Sequence, residues 1–200
     1  MPGTASPPPR WWPTLRGWGW SRPGVGASAI TLFRMAIFPI RTFGDPVLRT
    51  PAKPVSDIDD KIRKLIADMM ETMYEAPGVG LAAPQIGVGL RLAVFDSGDG
   101  LGARTMINPE LLHAEGEWEF EEGCLSVPGY WWTIVRPAFV QIKAISGDGE
   151  EVVYEGDELM GRVLQHEFQH LDGKLLIDQL GRRERKKALK ELSEKALGIV

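Results

Sequence analysis

The stretch "DELMGRVLQHEFQHL", residues 157–171, decides how this chain is read. Leu159, Val163, His166 and His170 recur at helical spacing, with Met160, Leu164, Phe168 and Leu171 beside them. The spacing predicts an amphipathic helix over 157–171 whose two histidines point toward its apolar side. Positions i and i+4 are one turn apart, so His166 and His170 can reach a single metal ion. Glu167 is rotated away from a direct ligand position, where it can touch a water at the metal and act as general base. The pattern is H-E-x-x-H, shared with zinc proteases; the bland alternative is two core histidines beside a surface glutamate. Gly161 costs the helix propensity, and close packing against another element is the expected reason.

The third ligand decides the class. In the H-E-x-x-H-x-x-G-x-x-H pattern Gly173 is in register, but position 176 is Leu176, so that pattern fails. A zinc protease with a downstream glutamate would use Glu191 or Glu194, which lie in a stretch that reads as a solvated helix. The remaining candidate is Cys124, in the glycine-containing stretch "EEGCLSVPG". One thiolate and two imidazoles leave a fourth position open for water, the catalytic arrangement. With His113 added, the same residues would close a structural, non-enzymatic site.

The rest of the chain supplies the frame. "VSDIDDKIRKLIADMMETMYEA", 55–76, places Ile58, Ile62, Leu65, Ile66, Met69, Met70 and Met73 on one helical face, with Ser56 and Asp59 as start signals and "PGVG" as the stop. The methionines read as core. "LRLAVFD", "ARTMINPELLHAEGEWEFEEG" and "TIVRPAFVQIKAIS" read as strands, and "SGDGEE" as a hairpin turn before "VVYEG". A last amphipathic helix is expected over 182–197, basic in its first half. Residues 1–34 hold six prolines, five glycines and four of the seven tryptophans, without helical or strand period. They read as an N-terminal extension, disordered or non-native, because Met35 opens what looks like a natural start; residues 35–200 read as the functional domain.

Composition narrows the classes. The net charge is −4, but residues 1–34 contain four arginines and no acid, so the remainder stands at −8. That argues against non-specific nucleic-acid binding by the body. No apolar run is long enough for a membrane span. The single cysteine excludes an internal disulfide and suits a reducing compartment, so a cytoplasmic location is expected.

Three stretches in order, "GVGLAAPQIG" (78–87), "EGCLS" (122–126) and "QHEFQHLDG" (165–173), resemble the peptide deformylases. Gly78, Gly80, Ala82, Ala83 and Gln85 match that family's first motif, and Glu122 to Ser126 match its second throughout. The third departs once: Gln169 stands where the family has Asp. "FGDPVLR" and "INPE" also look like the family, and the resemblance spans about 35–179. It implies an α+β fold with small antiparallel sheets packed around a central helix carrying H-E-x-x-H, plus a C-terminal helix. It implies hydrolysis of the N-formyl group from the initiator methionine of new polypeptides. The implied metal is Fe(II), with zinc, nickel or cobalt able to occupy the site, held by Cys124, His166 and His170.

Glu167 is then the base, while the Gln85 amide and the Leu125 N–H are the oxyanion donors. Val79 and Gly80 are expected to contact substrate, the missing Cβ of Gly80 letting backbone meet backbone. Glu122 is expected to pair with Arg136. Tyr130, Trp131 and Trp132 either wall the methionine pocket or fill core. Gln169 is expected to keep a hydrogen bond to a neighbour and to lose the charge of the family's acid. The basic C-terminal helix is a candidate ribosome contact, as in the family.

Overall fold

The computed structural model describes residues 36–196. The expectation for residues 1–34 lies outside that range, as does Leu197 of the expected last helix. Among the described residues three α-helices and seven strands follow in the order α1 (Asp60–Glu75), β1 (Gly80–Ala82), β2 (Leu92–Phe95), β3 (Arg104–Glu115), β4 (Trp118–Gly123), β5 (Trp131–Arg136), β6 (Phe139–Ile145), β7 (Glu151–Gly156), α2 (Glu158–Leu171) and α3 (Arg182–Ala196). The result is the expected α+β arrangement. A five-stranded antiparallel sheet has the order β1-β2-β3-β6-β7, and β4 pairs with β5 in a separate two-stranded sheet.

The larger sheet is covered on both faces where it meets the helices. Leu81, Leu92, Val94 and Ile107 point to one side and pack with Ile66, Met69 and Met73 of α1. Ala82, Ala93, Phe95 and Met106 point to the other, with Val140 and Ile142, and pack with Val163, Leu164 and Leu171 of α2. Successive strand residues face opposite sides, so one strand feeds both clusters; all four residues of β2 are buried. Met69 and Met73 of α1 are core, as their spacing implied, and Met70 packs against the same cluster partly buried. A third cluster lies under the small sheet. It joins Leu48, Val127, Ile134, Leu175, Leu176 and Ile177 to Ala188 and Leu192 of α3, and Cys124 packs against it.

One boundary differs from the sequence reading, and one strand holds an unexpected residue. Helix α1 starts later than Ser56: Asp59 is its cap, and its carboxylate accepts from Ile62 N at 2.9 Å. Strand β3 runs through Pro109, a residue that ordinarily ends a central strand. It does so across a register shift between Ile107 and Glu110, with Asn108 at φ +49°. The Asn108 side chain holds the irregularity by exchanging hydrogen bonds with both backbone groups of Val55.

Gly161 has the close contact its position suggested. A Cβ there would stand 2.5 Å from the Gly156 carbonyl oxygen, at the end of the strand preceding α2. Gly161→Ala is expected to destabilise the fold by ~1–3 kcal/mol through overpacking. That outweighs the roughly 1 kcal/mol that alanine gains in helix propensity. Urea unfolding of the two chains checks the sign; a more stable alanine variant would show that α2 can shift away at no cost.

Candidate metal centre

Cys124 directly follows β4, while His166 and His170 lie one turn apart on α2. Packing of α2 beside the small sheet brings the three together, with their ligand atoms all within 4.8 Å of one another. Cys124 Sγ lies 3.2 Å from His170 Nε2, and the imidazoles meet edge to face at 5.0 Å between centroids. His166 Nδ1 lies 3.0 Å from Glu122 Oε2. A carboxylate only accepts, so the proton at this contact sits on Nδ1, and Nε2, facing Cys124, is the nitrogen left for a metal to take.

Glu122 is 4 % exposed and fully engaged. Arg136 grips it with two bonds, Nε to Oε1 at 2.6 Å and Nη2 to Oε2 at 2.9 Å, as the sequence suggested. Arg162 adds a third, Nη1 to Oε1 at 2.8 Å. Burial alone would raise the Glu122 carboxyl, but His166 and Arg136 hold it well below the usual range. Burial likewise disfavours charge on His166, yet Cys124, Glu122 and Glu167 outweigh it and push its pKa up to about 10. The negative charge that holds a proton there would hold a cation too. Burial and the charges of His166 and Arg136 drive His170 well below its ordinary value, into the neutral form a ligand needs.

Glu167 is 3 % exposed, and burial pushes its pKa up to about 7. Its Oε2 is buried without a partner among the described residues. A thiolate, two imidazoles and an unspent carboxylate oxygen suit a borderline-soft divalent ion with a water beside it. The residues present therefore fit a metal.

Gln85 is buried, not a surface residue. Its Oε1 accepts from Ala82 N at 2.8 Å, which turns the amide nitrogen toward Cys124 Sγ at 3.7 Å and Ser126 Oγ at 3.2 Å. Beside the ligands lies a cavity whose lining includes Val79, Gly80, Phe120, Leu125, Leu159 and Val163. Val79, Gly80 and Leu125 are thus brought to the site with Gln85 and the ligands. Tyr130, Trp131 and Trp132 do not line it: Tyr130 and Trp132 pack on the third core cluster, and the Trp131 ring lies against Gly123. The hydrogen bond expected of Gln169 is absent, since its half-buried side chain has no partner among the described residues.

The other ligand sets do not assemble. His113 pairs with Glu115 on an exposed part of β3. Glu191 and Glu194 face solvent on α3 beside Lys187 and Lys190. Among the described residues, the ligand-capable group is Cys124, His166 and His170.

Two residues escaped the sequence reading. Ser126 sits inside a quoted motif and touches the Gln85 amide. Arg162 lies four residues before His166, so it belongs to the histidine face of the helix; a cation on a buried face was the signal.

The family model for polypeptide deformylases matches residues 37–186. The chain is 50 % identical to the peptide deformylase of Acidothermus cellulolyticus over 160 residues, covering 80 % of this chain and 88 % of that one. The crystal structure of a peptide deformylase from Legionella pneumophila superposes with a TM-score of 0.75 at 46 % identity, covering 82 % of this chain and 98 % of that one. One from Synechococcus elongatus, in complex with actinonin, superposes at 0.72 and 37 % identity, covering 83 % and 95 %.

Beyond the backbone contact expected of it, Gly80 leaves room for Glu167. A Cβ on it would stand 2.7 Å from Glu167 Cδ and 2.9 Å from Cγ, inside the space the carboxylate occupies. Gly80→Ala is expected to displace Glu167 and lower turnover by on the order of 100-fold. Metal content, measured on the same sample, should stay at the wild-type level. Unchanged turnover would mean that the carboxylate has room elsewhere.

Proposed function

The chain belongs to the peptide deformylase family and carries its activity, the metal-dependent removal of the N-formyl group from the initiator methionine of new polypeptides; within that activity we propose that Cys124, His166 and His170 hold the metal and that Glu167 is the general base. The observation that carries these roles is the convergence of three ligand atoms within 4.8 Å beside a buried carboxylate with an unpartnered oxygen.

The metal, when bound, supplies Lewis acidity toward water and toward the formyl oxygen. The protein's own groups do the rest. Glu167 takes a proton from the attacking water and later delivers it to the leaving amine; a pKa near neutrality suits both transfers. The Gln85 amide, held by its bond from Ala82 N, and the Leu125 backbone N–H donate to the oxygen as it gains charge. Preorganised donors of this kind are worth ~3 kcal/mol each in the barrier. Val79 and Gly80 contact the substrate beside the apolar cavity, which suits a methionine side chain.

Fe(II) is our assignment for the working metal, supported by the mixed sulfur and nitrogen set, which also accepts zinc, nickel or cobalt. The substrates are formylmethionyl peptides as they leave synthesis, and the cytoplasm is our assignment for the enzyme, supported by its single free cysteine. No helix among the described residues is long and apolar enough to cross a membrane. Residues 35–200 form the active unit, because the fold takes up the chain at once: Ala36 N donates to Asp68 and Phe38 N to Thr72.

The test is deformylation of a formyl-Met peptide by protein purified without oxygen, with metal counted on the same sample, for chains begun at Met1 and at Met35. Both should turn over with about one metal per chain, and iron should be the metal found. Glu167→Gln should keep the metal and lose on the order of 10²–10⁴ in rate. Metal lost with Glu167, or turnover kept without it, would reassign the base.

The ribosome contact is assigned to α3, where Arg182, Arg183, Lys186 and Lys187 are exposed while Ala188 and Leu192 anchor the helix. Changing those four to glutamine should weaken ribosome co-sedimentation and make it less sensitive to salt. Turnover of a short peptide should not change. Unaltered co-sedimentation would free α3 of that role.

A further inference from the structure

Two arginines share one carboxylate beneath the metal ligands, and one would balance its charge. Arg136 already meets Glu122 through both oxygens. Burying Arg162 as well carries a large desolvation cost, and its Nε finds no partner among the described residues.

What separates the two is origin. Arg136 ends β5, so its bonds to β4 stay within one small sheet. Arg162 comes from α2 and reaches three acceptors on that sheet: Glu122 Oε1 at 2.8 Å, the Trp118 carbonyl at 2.6 Å and the Ile134 carbonyl at 3.2 Å. The metal ligands are divided the same way, with Cys124 following β4 and both histidines on α2. Arg162 lies one turn before His166, and Glu122 lies two residues before Cys124. Glu122 then reaches back to His166 Nδ1, closing a ring from helix to strand and back to helix.

We infer that Arg162 is a positioning residue for the metal centre: it clamps the histidine-bearing helix to the cysteine-bearing strand and so sets the ligand spacing in the protein itself. The planar guanidinium is suited to the task. It lies over the rings of Trp118 at 4.8 Å and Phe120 at 5.7 Å, which stack on each other, so its plane is held while its nitrogens bond. A lysine ammonium at the same place could not present that fork.

The inference rests on the proposed ligand set, and the test keeps the two apart. Co(II) affinity of the whole chain is measured by competition with a chromophoric chelator, and the visible absorption of bound Co(II) reports coordination geometry. His166→Ala should lose Co(II). Arg162→Met should bind it ~10–100-fold more weakly, the usual consequence of removing a group that orients a ligand, with an altered Co(II) spectrum. Arg162→Lys should recover only part of the loss. Asp59→Ala, which removes the cap of α1, is the control for destabilisation alone and should bind as wild type. Wild-type affinity in Arg162→Met overturns the inference, as does an equal loss in Asp59→Ala. If Arg162→Met does not fold, Arg162→Lys decides, and wild-type affinity there overturns it. Full binding by His166→Ala would instead overturn the ligand reading.

Discussion

The charged side chain of Glu122 is the constraint on which the site depends. A carboxylate this buried is tolerable only if its lone pairs are answered, and here four contacts from three residues answer them. Each partner brings an element with it: Arg136 the second strand of the small sheet, Arg162 and His166 the central helix. Removing the charge would leave two buried guanidiniums facing each other, which costs far more than losing one surface ion pair. The same contact sets the histidine tautomer, so fold stability and ligand chemistry are joined at one side chain.

The larger sheet has a different task. Because β1 and β2 are buried on both faces, α1 and α2 are held at fixed distances on opposite sides of one layer. Helix α2 therefore has little freedom relative to β1, the strand that carries Gly80 and leads to Gln85. The two groups we propose to act on the same atoms, Glu167 on the helix and the Gln85 amide after the strand, sit on either side of a packed core interface. Interiors at this density resist displacement, and preorganised donors require that rigidity.

Much of this was legible in the sequence, for reasons that can be named. The helix carrying His166, Glu167 and His170 was visible because helical period and ligand spacing coincide, and the buried strands because apolar alternation is local. Cys124 emerged by excluding register and solvated positions, and the family resemblance then added Gln85 and Leu125, which no pattern of burial marks. What was not legible depends on contacts between distant segments. The burial of Gln85 is decided by Ala82 N and Ser126; the partner of Gly161 is a carbonyl from the preceding strand; Pro109 is tolerated because Asn108 bonds Val55. Trp131 looked equally suited to pocket or core, and only the pairing of β4 with β5 lays it on Gly123.

The glycines of the first motif join these strands of argument. Read as sequence, Gly80 offers a bare backbone to a peptide. In the fold its missing side chain is also the volume into which Glu167 extends, so the proposed substrate contact and the proposed base meet at one Cα. The polar roles we propose fall on Gln85, Leu125 N–H and Glu167, each fixed by backbone or helix, while Val79, Phe120, Leu159 and Val163 give the cavity beside them its apolar lining.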